Sequence, residues 1–222
     1  MAVNEPIRDR RCQALIKATI AVIARHGASG TTVSRVARKA GVSVGLMNFH
    51  FESKERLFRE TFGYLSGEYE KVWQENLRTA PDDPLSRLMT MIRTNFDPRI
   101  FTREKLAVWF TFWSDAQLRG RYRAAATRVE RRYNLAIEAE IATLLEVRRG
   151  GREAADIARP LMAMIDGFWL QAMLYPHGFS RSEAIATCLA FVEARLAGAG
   201  RPLPRRASPT SLRLSTSRPA RH

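Results

Sequence analysis

The chain has 222 residues, of which 45% are hydrophobic and 26% charged, and a formal net charge of +14. Its two isolated cysteines, Cys12 and Cys188, exclude a disulfide framework and a Cys-based zinc module, and they fit reduced thiols in a cytoplasmic protein. No apolar run approaches the length of a membrane span and the N-terminal MAVNEPIRDRRCQALIK has no apolar signal core, so the expectation is a soluble, cytoplasmic chain without membrane contact.

In chain order, residues from about Arg8 to His26 predict a first helix with Cys12, Leu15, Ile16, Ile20, Val22 and Ile23 on one face, ended by Gly27. Thr31 to Phe62 follows, TTVSRVARKAGVSVGLMNFHFESKERLFRETF. Val33, Val36, Ala37 and Ala40 recur at i, i+3, i+4 and i+7, which makes them the buried stripe of a short helix carrying Ser34, Arg35, Arg38 and Lys39 outward, with Thr32 as N-cap. Gly41 suits the helix end, and Ser43 can cap a second short helix from Val44 to about His50. Met47 and Phe51 anchor that helix, leaving Val44, Gly45, Leu46, Asn48, Phe49 and His50 to divide between support and an outer surface. Two short helices joined by a tight turn form a helix-turn-helix, whose second helix enters the DNA major groove. The charge map agrees: residues 1–62 carry 11 Lys/Arg against 5 Asp/Glu, 63–200 carry 19 against 17, and 201–222 carry 6 against none. A basic N-terminal module supplies the phosphate neutralisation that DNA binding requires, although charge alone also fits a solvated surface.

Ser53 caps a longer helix from Lys54 through Trp73 to about Leu77, which connects two domains. Ala80 to Pro84 breaks the pattern, Leu85, Leu88, Met89 and Ile92 resume it, and Asp97-Pro98 breaks it again. Helices over about Thr102–Gln117, Arg121–Arg148, Arg152–Tyr175 and Ser180–Leu196 complete an all-α fold of about nine helices, with Pro160 kinking the penultimate one or marking its start. The predicted division is a DNA-binding domain over 1–53, a helical ligand-binding and dimerisation domain over 54–197, and a disordered basic tail over 198–222. Trp109 and Trp113 share a helix face, with Phe110, Phe112 and Asp115 adjacent; Asp166, Phe168, Trp169 and Tyr175 form a second group. Aromatic residues at helical spacing are often plain core, but two such groups, each with an acid, also form a cage for an organic cation if their helices pack together.

The run Thr32 to Phe62 resembles the DNA-binding domain of TetR-family repressors in its A-x-x-A-G-V-S-x-G core at Ala37 to Gly45, N-F-H-F at Asn48 to Phe51 and S-K-E-x-L at Ser53 to Leu57. The rest resembles, more narrowly, the choline-responsive repressors of glycine-betaine synthesis: N-F-D at Asn95 to Asp97, A-x-W-x-x-F-W at Ala107 to Trp113 and I-D-G-x-W-L at Ile165 to Leu170. The resemblance implies a homodimer, formed by the last two helices, that binds double-stranded operator DNA and responds to choline. Position in the turn motif gives as candidate DNA contacts Thr32, Ser34, Arg35, Ser43, Val44, Gly45, Leu46, Asn48, Phe49, His50 and Lys54, and the two aromatic groups give as candidate ligand contacts Trp109, Phe110, Phe112, Trp113, Asp115, Asp166, Trp169 and Tyr175. The family often has Tyr where this chain has Asn48 and His50; here Asn48 can reach a base edge and His50 can donate to a phosphate. Two other readings compete, a repressor of efflux genes sensing lipophilic cations and a ligand-independent DNA-binding protein. Four His residues, no metal-ligand spacing and no nucleophile motif argue against an enzyme, and no cofactor is expected.

Overall fold

A computed structural model describes the backbone of residues 5–114, 116–147 and 151–200, and the side chains of 10–114, 128–147 and 151–200. Among these residues the chain forms nine α-helices and no strand: α1 (Glu5–Gly30), α2 (Val33–Ala40), α3 (Val44–Phe51), α4 (Lys54–Thr79), α5 (Pro84–Thr94), α6 (Arg103–Ser114), α7 (Ala116–Leu145), α8 (Arg152–Leu174) and α9 (Arg181–Gly198).

The three N-terminal junctions are set by local chemistry. Thr32, Ser43 and Ser53 each sit in extended backbone and accept a hydrogen bond from the amide three residues on, those of Arg35, Leu46 and Arg56, at 3.2, 3.1 and 3.1 Å. Each cap satisfies an amide that the first helical turn leaves without a carbonyl partner. Gly41 closes α2 with φ +69°, a left-handed geometry that a side chain makes costly. Gly27, with φ +67°, breaks α1 where the helix was expected to end, and Ala28–Gly30 follow before the chain turns into α2.

One apolar core runs through both halves. Leu15, Ile23, Val36, Ala37, Met47 and Phe51 close the α1–α3 module, and Leu57 and Phe58 at the start of α4 join it. The same helix continues through Phe62, Leu65, Tyr69 and Trp73 into the C-terminal bundle, where Leu88, Ile92, Ile137, Leu161 and Ile165 are almost wholly buried. Burying each such side chain contributes about 1.5–3 kcal/mol, so α4 is held at both ends and bends neither domain away from the other freely. Phe62 contacts Trp109 and Phe112 of α6 at ring separations of 4.9 and 4.4 Å, which ties α4 to α6 midway. α6 also packs along α1.

Pro160 lies inside α8, which begins eight residues earlier at Arg152, so it does not mark the helix start. α6 ends at Ser114 and α7 begins at Ala116, both earlier than expected; Asp115 lies outside the described residues, as do 201–222 of the expected tail.

Candidate DNA-recognition surface and cation cage

The amphipathic stripe of α2 points inward, with Val36 and Ala37 buried, and Met47 and Phe51 anchor α3 against the same core. That leaves Thr32, Ser34, Ser43, Val44, Gly45, Asn48 and Phe49 exposed around the turn, with Leu46 half-buried. Phe49 is 73% exposed, an unusual cost for a phenylalanine, although its ring meets His50 edge-on at 5.5 Å, and Val44 is 41% exposed. His50 departs from the expected outer surface: it is buried beneath α3, with Nδ1 3.5 Å from Cys12 Sγ of α1. The helical period explains this, since His50 is three residues from Met47 and shares its inward face.

Two expected DNA-facing cations are engaged within the protein. Lys54 Nζ donates to the Ala28 carbonyl at 2.9 Å and lies 5.2 Å from the Phe58 ring centroid, so it ties the start of α4 to the end of α1. Arg35 donates through Nη1 to the Gly30 carbonyl. An ammonium has three donors and a guanidinium five, so each retains others for a phosphate.

In the C-terminal bundle the two predicted aromatic groups converge. Trp109 and Trp113 of α6 and Trp169 of α8 stand 5.8, 6.3 and 6.2 Å apart pairwise by ring centroid, Trp113 stacking nearly parallel to Trp169. Tyr69 of α4 and Tyr133 of α7 complete the lining, with Asn95, Met162, Glu130 and Asp166. Of the expected ligand residues, Trp109, Trp113, Asp166 and Trp169 therefore meet in one cavity. Asp115 lies outside the described residues, and the three described others do not line it: Phe110 packs edge-on against Trp113, Phe112 fills the seam between α4 and α6, and Tyr175 is 66% exposed at the end of α8. Tyr175 is six residues beyond Trp169, a turn and two-thirds, which rotates it off the shared face.

Tyr69, Tyr133 and Glu130 were not anticipated. Tyr69 was recoverable in principle, because it follows Phe62 by seven residues on the buried face of α4. Asn95, noted only as part of N-F-D, proves to be the organising residue. Its Oδ1 accepts from Tyr69 OH at 2.8 Å, its Nδ2 donates to the Met91 carbonyl at 3.1 Å and to Tyr133 OH at 2.6 Å, and its carbonyl accepts from Trp169 Nε1 at 3.0 Å. Tyr133 OH donates in turn to the Met91 carbonyl at 2.6 Å. Every buried polar group of this network has a partner, which fixes the Tyr69, Tyr133 and Trp169 rings in place; Trp109 and Trp113 are not members of it.

The acids give the cavity its sign. Asp166 keeps solvent contact at the mouth while protein encloses it on its other sides, and this desolvation raises its carboxyl to about pKa 6. Glu130 is raised too, first by desolvation and then by the neighbouring charge of Asp166. Among the described residues Asp166 has no hydrogen bond or ion pair. Ring faces and two uncompensated carboxylates together favour a cation. The cavity holds about 40 Å³ of accessible space and opens to solvent beside Asp166.

The profile of BetI-type transcriptional repressors, C-terminal region, matches residues 84–197, and that of bacterial regulatory proteins of the tetR family matches residues 15–61. The chain belongs to the TetR family. Within it, the C-terminal match places this TetR-family chain among the BetI-type repressors, transcriptional regulators and not enzymes. It is 30% identical over 195 residues to the HTH-type transcriptional regulator BetI of Serratia proteamaculans, covering 87% of this chain and 95% of the relative. It is 31% identical over 181 residues to BetI 2 of Chromohalobacter salexigens, covering 81% and 84%. Among solved structures, a protein of Pseudomonas aeruginosa PAO1 assigned as a transcriptional regulator superposes with a TM-score of 0.74 at 28% identity, over 87% of this chain and 93% of that one. A regulator from Saccharomonospora viridis, solved in complex with choline, superposes with a TM-score of 0.71 at 21% identity, over 83% and 96%. No described helix of this TetR-family chain is long and apolar enough to cross a membrane.

Proposed function

We propose that this repressor binds a pseudo-palindromic operator as a homodimer and that choline, held in the Trp109–Trp113–Trp169 cage, weakens that binding and so controls glycine-betaine synthesis genes. The observation that carries the ligand assignment is the cavity itself: three indoles and two phenols around paired acids, in a fold shared with a choline-bound regulator. A quaternary ammonium donates no hydrogen bond, so ring faces and a carboxylate are the groups able to hold it, at about 0.5–2 kcal/mol per ring depending on desolvation. The cavity's 40 Å³ is room for roughly three waters, so choline enters by parting the rings, and a bulky lipophilic cation needs a much larger opening. This favours the small ligand over the efflux-type alternative.

The route from cage to operator follows α4. Tyr69 lines the cage and Lys54 begins the same helix fifteen residues earlier, roughly 22 Å away at 1.5 Å per residue. Displacing Tyr69 or Trp109 moves the helix that carries the recognition module, and α3 of each protomer must sit about 34–36 Å from its twin to meet successive major grooves. Dimerisation through α8 and α9 is supported by Leu170 and Leu174, which are 41% and 55% exposed one turn apart on α8. A coupling of about 1–3 kcal/mol is enough to change operator affinity by several-fold to a hundredfold.

The test is a titration of choline into the complex of full-length protein with a duplex selected from a random pool, alongside choline's uncharged carbon isostere. Choline should release the duplex and the isostere should not. Equal effects of the two, or no effect of either, would remove the cation-cage mechanism and leave the repressor assignment intact.

A further inference from the structure

A second cleft, with about 780 Å³ of accessible space, lies between the recognition module and the C-terminal bundle. Its walls come from α1, α2 and α6: Arg25 and His26, then Arg35, Arg38 and Lys39, then Arg103, with Glu104 as the one acid among the described lining residues. Its floor is apolar, made by Val22, Ala107 and Met173 among others. Among the described residues Arg25, Arg38, Lys39 and Arg103 make no ion pair, although seven of the molecule's other Arg and Lys residues do. Four cations facing one concavity repel one another, and the arrangement lasts only because water and counterions screen it. No residue of α3 lines the cleft, so it is not continuous with the exposed turn that carries Asn48 and Phe49.

We propose that this cleft is a second effector site, for a small organic polyanion bearing phosphate or carboxylate groups. Guanidinium forks from two sides match such oxygens bidentately, and the apolar floor accepts the carbon skeleton between them. The bound anion bridges Arg38 of α2 and Arg103 of α6 and so fixes the recognition module against the bundle. α6 also supplies Trp109 and Trp113 to the cage, which places both ligands on one helix from different sides. Polyanion and operator are then linked: whichever state the anion favours, operator binding changes anion affinity by the same factor.

Calorimetric titration of full-length protein with inorganic tripolyphosphate, and separately with citrate, tests this at low ionic strength. Saturable binding of one anion per chain is expected, and the tighter of the two distinguishes phosphate from carboxylate chemistry. In the double variant Arg38→Ala/Arg103→Ala, both residues being exposed, anion affinity should fall at least ~10-fold with the thermal midpoint and choline binding unchanged. Absence of saturable binding by either anion would overturn the proposal. So would undiminished binding in the double variant, which would assign it to the six arginines of residues 201–222. Loss of operator affinity and of salt slope in that variant without added anion would overturn it as well, by making the two arginines DNA-phosphate contacts.

Discussion

The turn around α3 and the cage behind Asn95 are built in opposite ways. The start and axis of α3 are set within about ten residues of it, by a serine cap, a left-handed glycine and two anchors one helical turn apart, and only its buried face, with His50 against Cys12, leans on distant chain. The cage draws Tyr69, Trp113, Tyr133 and Trp169 from four helices and Asn95 from the C-cap of α5, and hydrogen bonds spanning 26 to 74 residues of chain tie Tyr69, Tyr133 and Trp169 to Asn95. A locally specified surface tolerates changes to its outward residues, because nothing else leans on them. A cage assembled at long range has members that are both wall and strut, so function and stability are hard to separate there.

The strongest way to break that contrast is Asn95→Ala. The substitution removes the acceptor of Tyr69 OH and a donor to Tyr133 OH in a fully buried site, and we expect a loss of about 3 kcal/mol in stability, read from the urea midpoint. A variant as stable as the parent would mean that the network is ornamental and that the cage is held by ring packing alone.

Asp166→Asn sharpens the same point by separating wall from strut. Asp166 carries charge but no described hydrogen bond, so at pH 7.5 choline affinity should fall about 30-fold with operator affinity held and stability raised rather than lowered, since the desolvated charge is gone. The parent protein should show the corresponding pH dependence. Asp166 binds choline when ionised, and its carboxyl titrates at about 6, so affinity is full above pH 7 and falls as pH drops through that value, by about tenfold at pH 5. Stability moves the other way: the folded-state value lies above that of the unfolded chain, so this group favours folding more as pH falls from 6 toward 4. Isothermal titration at pH 7.5, 6 and 5 measures the first effect, and a flat profile in Asp166→Asn ties it to this carboxylate.

These differences in construction also decide what could be read before the structure. The caps, Gly27, Gly41 and the inward stripe of α2 were all legible, because each depends on near neighbours and on a 3.6-residue period. Trp109, Trp113, Asp166 and Trp169 were legible as two groups, yet which of their neighbours join the cage was not. Phe112 and Phe110 have the same composition and spacing as the residues that line it, and only the direction of the α4 and α8 contacts sorts them. Tyr133 lies on α7, between the two aromatic groups of α6 and α8 but about twenty residues beyond Trp113, and has no sequence mark beyond a buried position. His50 shows the reverse failure, since its polarity suggested an outer role while its period placed it with Met47.

On the α3 side, Asn48→Ala should relax sequence preference at one or two base pairs, worth about 1–3 kcal/mol of discrimination, without altering stability, because Asn48 is exposed. Phe49→Ala should do the same toward sites lacking thymine methyls. Selection of operators from a random pool by each variant reads both effects, and unchanged consensus sequences would move base reading elsewhere on the module.

The smallest expected effect belongs to Lys54, the residue at which the two regions meet. Its ammonium already holds the Ala28 carbonyl and lies against Phe58, so it braces α4 on α1 whether or not DNA is present. Its two other donors and its place at the N-terminus of α4 let it also reach a phosphate. These roles separate in salt. If Lys54 neutralises a phosphate, Lys54→Ala lowers operator affinity about fivefold across all sequences and reduces the slope of log K against log salt by about 1. If it acts only as a brace, affinity falls with the slope intact, because no counterion release is lost. We expect the reduced slope. Lys54→Arg is then the decisive companion, since a guanidinium keeps the charge but cannot occupy the same compact seat between Ala28 and Phe58, and it should restore the slope while leaving the brace weakened.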